Sequence, residues 1–310
     1  MAIVLGPNQY GKAETRVVRV YRDNGRHEIR DLNVSTLLRG DFADAHARGD
    51  QASVLPTDSQ KNTCFAFAKE KGVGEIEDYA LDLARHFVND IEPVTGARVE
   101  VEEYRWERVS VAGQPHPHTF VRSGQEVRTT AVTVSRRGPV QSTWIVSGLK
   151  DLVVLKSTGS EFSGFLKDRY TTLAETRDRI LATSLTARWR YDLPPRPARS
   201  GRGPKSWDEA HADIRQILLA RFAEVHSLAL QQTLWEMGQA VLRDRDDVAE
   251  IRLSAPNRHH FLADLAPFGL DNPGEVFHAA DRPYGLIQCA VQRDDATDPG
   301  PAWDSAATFE

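Results

Sequence analysis

The sequence predicts an α+β protein built from two successive ββααββ halves, residues 1–138 and 139–310, each with an antiparallel sheet. Three observations carry this expectation. Alternating runs meet at a tight-turn signal, Asp23-Asn24-Gly25. Two runs at helical spacing follow before strand-like runs resume. After Arg136-Arg137-Gly138-Pro139 the same order starts again.

In the first half, strands are expected over Ala13–Arg22 and His27–Arg39, because Asn-Gly between alternating runs favours a hairpin. Thr57-Asp58-Ser59-Gln60 fits a capping box, with Thr57 as N-cap of the first helix. Ile76, Tyr79, Ala80, Leu83 and Phe87 recur at the spacing of a second helix. Strands near Ala97–Val109 and Gln125–Arg136 complete this half. In the second, strands are expected over Ser142–Leu155 and Arg179–Tyr191, with a surface loop at Pro194–Lys205. Ile214, Ile217, Leu218, Phe222 and Val225 mark one helix, and a second runs from about Ser227 to Leu242. The last strands fall near Asp247–Leu265 and Tyr284–Gln292. If helices cover one face of each sheet, the other face must meet something else, such as another subunit.

At 310 residues the chain has room for about two domains. No run is long and apolar enough to span a bilayer, and the short apolar start is not a secretory signal. The end, Ala-Ala-Thr-Phe-Glu, is not a peroxisomal Ser-Lys-Leu address. A net charge of −5 argues against a general nucleic-acid binder. Cys64 and Cys289 sit in apolar contexts, as expected of free buried thiols in a reducing, cytoplasmic setting.

Missing motifs narrow the chemistry. There is no phosphate-binding Gly-Lys-Ser/Thr loop, no GxSxG elbow and no HExxH. His116-Pro117-His118 lies in a Pro-rich connection without obvious further ligands, so no metal site is expected there. Arg48-Gly49-Asp50 reads as a turn. In Ser254–Leu265, Asn257 and His259 sit two apart in a strand-like run and so share a face with Phe261, Ala263 and Leu265. Either Asn257 lies in a bend after Pro256 and His259 is hydrogen-bonded locally, or both are aimed at a ligand.

Seven stretches, in order and across nearly the whole chain, resemble the urate oxidase (uricase) family. They are Asn8–Lys12, Thr57–Thr63, Leu155–Phe162, Asp178–Thr183, Leu230–Thr233, Pro256–His259 and Asp281–Gly285. The resemblance implies the tunnelling fold, with two tandem ββααββ domains per chain and a homotetramer around a tunnel. It implies oxidation of urate with dioxygen and water to 5-hydroxyisourate and hydrogen peroxide, with no metal and no organic cofactor.

The resemblance also implies roles. Arg179 would grip the carbonyl edge of the flat purine anion through its fork of donors, and Gln231 would bind the same edge. Phe162 would stack on the ring. Leu230 stands where the family often has a smaller apolar residue and would contribute a backbone contact. The Asp58 backbone N–H, at a helix start, would donate to the anion. Lys12, Thr57 and His259 would form a proton relay. An ordinary lysine is protonated at neutral pH, so the base role requires surroundings that favour the neutral amine. Asn257 would hold dioxygen, or the water that replaces it, together with Thr57. The site would lie between the first domain of one subunit and the second domain of another. The alternatives are another tunnelling-fold purine or pterin enzyme, such as a GTP cyclohydrolase or a dihydroneopterin aldolase, and a non-catalytic purine-binding protein. The cyclohydrolase needs a Cys/His metal set for which Cys64 and Cys289 lack context, and the retained Lys12 and Thr57 argue against simple binding.

Overall fold

A computed structural model describes residues 2–193 and 206–305, so the expected loop at Pro194–Lys205 lies outside the described residues. The chain divides into two compact units. One comprises Met1–Gly148, Arg190–Arg196 and Thr297–Glu310; the other comprises Leu149–Trp189 and Pro197–Ala296. Among the described residues no helix is long and apolar enough to cross a membrane.

The first unit opens with β1 (Tyr10–Tyr21) and β2 (Glu28–Gly40), antiparallel, with Gly25 at φ 59° in the turn between them. Then come α1 (Ala43–Arg48), α2 (Thr57–Glu70), α3 (Ile76–Asp90), β3 (Val94–Glu103), β4 (Trp106–Val111), β5 (Gln114–Arg122) and β6 (Val127–Arg137). The strand order is β1-β2-β3-β6 and then β7 (Val140–Lys156), which crosses from the first unit into the second. The α3 positions at helical spacing, Ile76, Tyr79, Ala80, Leu83 and Phe87, are all buried, and the helix packs on β3 and β6. Facing valines at 99, 101, 132 and 134 complete this core.

Buried charge is paired. Glu77 of α3 is fully buried, accepting from Arg128 Nη2 at 2.7 Å and Ser147 Oγ at 2.6 Å. Burial pushes its carboxyl above the ordinary range, and Arg128 only partly opposes that shift. Asp31 accepts from Arg16 and, at 3.0 Å, from Trp106 Nε1, which ties the β4–β5 hairpin to β2.

Three sequence expectations are corrected here. The run expected as one strand over Ala97–Val109 breaks at Tyr104, and a separate hairpin, β4–β5, follows. Its turn, Ala112-Gly113, has both residues at positive φ (49° and 77°), the geometry that lets two strands reverse over two residues. His116 and His118 therefore lie on a strand, with rings 4.5 Å apart, and not in an irregular connection. Thr57 is the first residue of α2, not its cap. Pro56 takes the cap position, and its carbonyl accepts the Gln60 N–H at 3.2 Å. The Gln60 side chain, the expected reciprocal partner of the capping box, turns instead to Thr36.

The tail after Thr297 packs on the first unit. Arg98 of β3 donates to the Ala302 carbonyl at 3.2 Å, and Arg39 pairs with Asp304 at 2.7 Å. Ala302 joins Ala131 and Val146 beneath Trp144 and Trp303.

The second unit contains the end of β7, then β8 (Leu181–Tyr191, which passes back to the first unit), α4 (Trp207–Glu224), α5 (Leu230–Asp244), β9 (Val248–Leu262) and β10 (Phe277–Gln292), with strand order β7-β8-β9-β10. Ser206 caps α4, accepting from Glu209 N at 3.2 Å. β9 and β10 are antiparallel, and β10 begins seven residues before the expected Tyr284. α5 lies so close to β10 that a Cβ on Gly238 would meet Val291 Cγ2 at 2.5 Å.

That contact yields a prediction. Gly238→Ala gains about 1 kcal/mol of helix propensity, but crowding against β10 costs about 1–3 kcal/mol. A net loss is expected in urea unfolding. Adding Val291→Ala should make the Gly238→Ala change neutral or stabilising. Equal destabilisation in both backgrounds would show that Val291 is not what limits this helix.

Candidate active site

The first group of site residues rests on β1, β2 and the start of α2. Gly11 passes so close to β2 that a Cβ there would lie 1.7 Å from the Thr36 carbonyl oxygen, so only glycine fits. The next residue, Lys12, stands opposite Thr36. The pairing then shifts between Lys12 and Thr15, with Glu14 at φ 56° and its N–H donating to Ser35 Oγ at 3.0 Å. Thr36 also reaches the helix: its Oγ1 donates to the fully buried Gln60 Oε1 at 2.8 Å. The strand carrying Lys12 and the helix beginning at Thr57 are thereby held together.

α2 presents free N–H groups and a positive dipole end at Thr57 and Asp58. Asp58 is exposed. Its carboxyl is held below the ordinary range, first by the hydrogen bond and charge of Lys61, then by Asn62 and by the charge of Lys12. The structure thus brings Lys12, Thr57 and Asp58 into one neighbourhood. Beside Thr57 is a mainly apolar cavity of about 520 Å3, walled by Tyr10, Phe42, Val54 and Pro56. Tyr10 is fixed by its hydroxyl, which donates to the Leu55 carbonyl at 3.0 Å, and by an edge-on contact with Phe42.

The second group rests on irregular chain between β7 and β8, joined to the start of α5. Phe162 and Thr176 exchange backbone hydrogen bonds of 2.8 and 3.0 Å, and Arg179 N donates to the Ser160 carbonyl at 2.8 Å. Ser160 bridges Ser227, with Glu161 N donating to Ser227 O and Ser227 N to Gly159 O. Thr233 Oγ1 donates to Ser227 Oγ at 2.7 Å, which anchors the first turn of α5 to the same segment. Phe162, Arg179, Leu230 and Gln231 are therefore organised by one set of hydrogen bonds. Leu230 is buried, whereas Gln231 is exposed at the open end of α5.

Arg179 has a distinctive environment. Its guanidinium carbon lies 5.3 Å from the centre of the Phe162 ring, and its Nε is buried without a hydrogen-bond partner. Burial lowers its pKa from the ordinary arginine value, so the cation is partly stripped of water. A planar cation with an unmet donor beside an aromatic face suits a flat anion with acceptors on its edge. Phe165 stacks on Phe162 at 4.9 Å and 14°. Nothing in the sequence marked Phe165, because a spacing of three predicts contact only within a helix and this segment is irregular.

Asn257 and His259 both lie on β9, so the bend after Pro256 does not occur. Asn257 pairs with Gly285 and His259 with Ala280, on either side of a register shift in β10. The locally hydrogen-bonded histidine is His260, whose Nδ1 is 3.2 Å from the Arg258 carbonyl, while His259 stacks on Phe261 at 5.7 Å. The strand ends at Leu262, so of Phe261, Ala263 and Leu265 only Phe261, 54% exposed, continues the strand face of Asn257 and His259. Gln60, Thr36 and Gly11 were not recognised from sequence as organisers of the site. Gly11 and Gln60 lie within two of the family-like stretches, and Thr36 carried no signal.

No group of three His, Cys, Asp or Glu side chains able to hold a metal occurs among the described residues. The uricase family model matches residues 8–133 and 145–288. A uricase of Arthrobacter globiformis is 50% identical over 99% of this chain and 96% of its own length. That of Cyberlindnera jadinii is 35% identical over 96% of this chain and 99% of its own. The crystal structure of the Arthrobacter globiformis uricase, 50% identical, superposes with a TM-score of 0.87 over 98% of this chain and 99% of that one. A crystal structure of a uricase from Bacillus fastidious, 22% identical, matches in fold with a TM-score of 0.79 over 94% of this chain and 95% of that one. The chain therefore belongs to the uricase family, whose members oxidise urate.

Proposed function

We propose that this chain oxidises urate with dioxygen and water to 5-hydroxyisourate and hydrogen peroxide, using no metal and no organic cofactor, in the breakdown of purines. The single observation that carries the reading is the partly buried Arg179 guanidinium, its Nε without a hydrogen-bond partner, beside Phe162. Arg179 and Gln231 hold the acceptor edge of urate, Phe162 stacks on the ring, and the backbone at Asp58 and Leu230 lines it. Lys12 takes a proton through the Thr57 hydroxyl or a bound water, and His259 exchanges protons with the same chain. The electron-rich anion passes one electron to dioxygen, held by Asn257 and Thr57. The radical pair joins as a hydroperoxide at ring carbon, and water then displaces hydrogen peroxide.

The proposed assembly is a homotetramer of chains with two tandem tunnelling-fold domains, residues 1–138 and 139–310, working in the cytoplasm. Lys12, Thr57 and Asp58 come from the first unit, and Phe162, Arg179, Gln231, Asn257 and His259 from the second. The proposed site joins the first unit of one subunit to the second unit of another.

Oxygen uptake and peroxide release, measured on metal-free protein after exhaustive chelation, should each match urate loss one for one. Recovery of activity only on adding metal or flavin would overturn the cofactor-free reading. Lys12→Met should lower turnover by about two to four orders of magnitude, the range for a positioned acid–base group, with analogue affinity changed only a few fold. If Lys12 and Thr57 act as one relay, the double variant with Thr57→Ala should be little slower than the slower single variant. Losses that multiply would separate the two groups. For assembly, inactive Thr57→Ala and Arg179→Ala subunits should regain part of the activity when mixed and reassembled. No recovery in tetramers shown to be mixed would place each site within one chain.

A further inference from the structure

The first unit holds a cavity of about 630 Å3 that the urate chemistry does not use. Arg39, Arg98, Thr133, Arg136, Arg137 and Trp144 line it, and the tail closes it with Asp298 and Pro301. Arg98 is 3% exposed. Its Nε donates to Glu100 Oε1 and its Nη1 to Thr133 Oγ1, both at 2.8 Å, with Ala302 O at 3.2 Å from Nη1. Its Nη2 is buried and meets no partner. Two N–H donors of a buried cation are thus left without an acceptor, the kind of vacancy an anion fills.

The surrounding charges favour an anion as well. Glu100 answers Arg98, and Asp304 answers Arg39. Among the described residues Arg136 donates to the neutral carbonyls of Glu92 and Val94, and Arg137 stands exposed at the rim. The one carboxylate in the lining, Asp298, already accepts from Gly300 N at 2.9 Å. A wall of Trp144 and Pro301 bounds the other side.

We propose that this cavity binds a small oxyanion, a phosphate or an organic carboxylate. Arg98 Nη2 donates to it from the floor, and Arg136 and Arg137 donate from the rim. Because Arg98 also holds the Ala302 carbonyl, the bound anion fastens the tail to β3.

The test uses the full-length protein without urate, in phosphate-free buffer at constant ionic strength set with chloride. Inorganic phosphate and, separately, succinate are titrated while tryptophan fluorescence and melting temperature are recorded. A saturable response at one equivalent per chain is expected, with a rise in melting temperature. Arg137→Ala should weaken it about tenfold, the scale of one charge-assisted contact, and Arg98→Gln should abolish it. Trp144→Phe should keep the thermal shift and lose the fluorescence change. Arg179→Ala should alter neither. Tighter binding of phosphate or of succinate identifies the source of the oxyanion. A response that never saturates, or equal responses in Arg137→Ala and the unaltered protein, would mean an adventitious ion only and overturn the proposal. Loss of the response in Arg179→Ala would move it to the urate site. If Arg98→Gln fails to fold, the exposed Arg137 still decides. No turnover is measured, so the outcome is separate from that of the urate reading.

Discussion

The hydrogen bond between Thr36 and Gln60 sets the geometry on which the first half of the site depends. Both side chains are buried, 2.8 Å apart, and one belongs to β2 while the other belongs to the first turns of α2. Breaking it leaves a buried polar group unmet, at about 1–3 kcal/mol. The same Thr36 carbonyl presses against Gly11, so β1, β2 and α2 have little freedom to shift separately. Lys12 and Thr57 hold their positions because the residues beside them have none to spare.

The second unit solves the corresponding problem with irregular chain. Phe162 and Arg179 sit outside the regular strands, yet backbone bonds through Ser160, Thr176 and Ser227 hold them in place. This placement leaves Arg179 partly dehydrated, with no carboxylate paired to it among the described residues. A surface arginine would have to shed its water on meeting an anion; here folding has already removed part of it.

Elements with strong local chemistry were legible in the sequence. Asn24-Gly25 placed the first hairpin, and the spacing from Ile76 to Phe87 gave the buried face of α3. The β4–β5 hairpin escaped because Ala112-Gly113 is a weaker turn signal than Asn-Gly, and Pro115 and Pro117 argued against a strand. On a two-stranded ribbon those prolines cost little, since each strand has an unpaired side. The capping box misled because Thr57 and Gln60 have the right spacing, but Pro56 takes the cap position and Thr36 captures Gln60. Tertiary partners decided both, and a local pattern carries no record of them. The proposed site residues were named through family likeness alone, and the residues that support them were not named at all.

The tail that ends on β3 makes the first unit discontinuous along the chain. A ribosome completes residues 1–148 well before it reaches Thr297, and the intervening stretch takes on the order of ten seconds to synthesise. Through that interval Trp144 and Arg98 wait for a cover not yet translated. The first unit is thus begun first and sealed only after the tail from Thr297 has been made. Nascent protein therefore carries, between completion of residue 148 and synthesis of the tail, an apolar and cationic surface that the tail later covers.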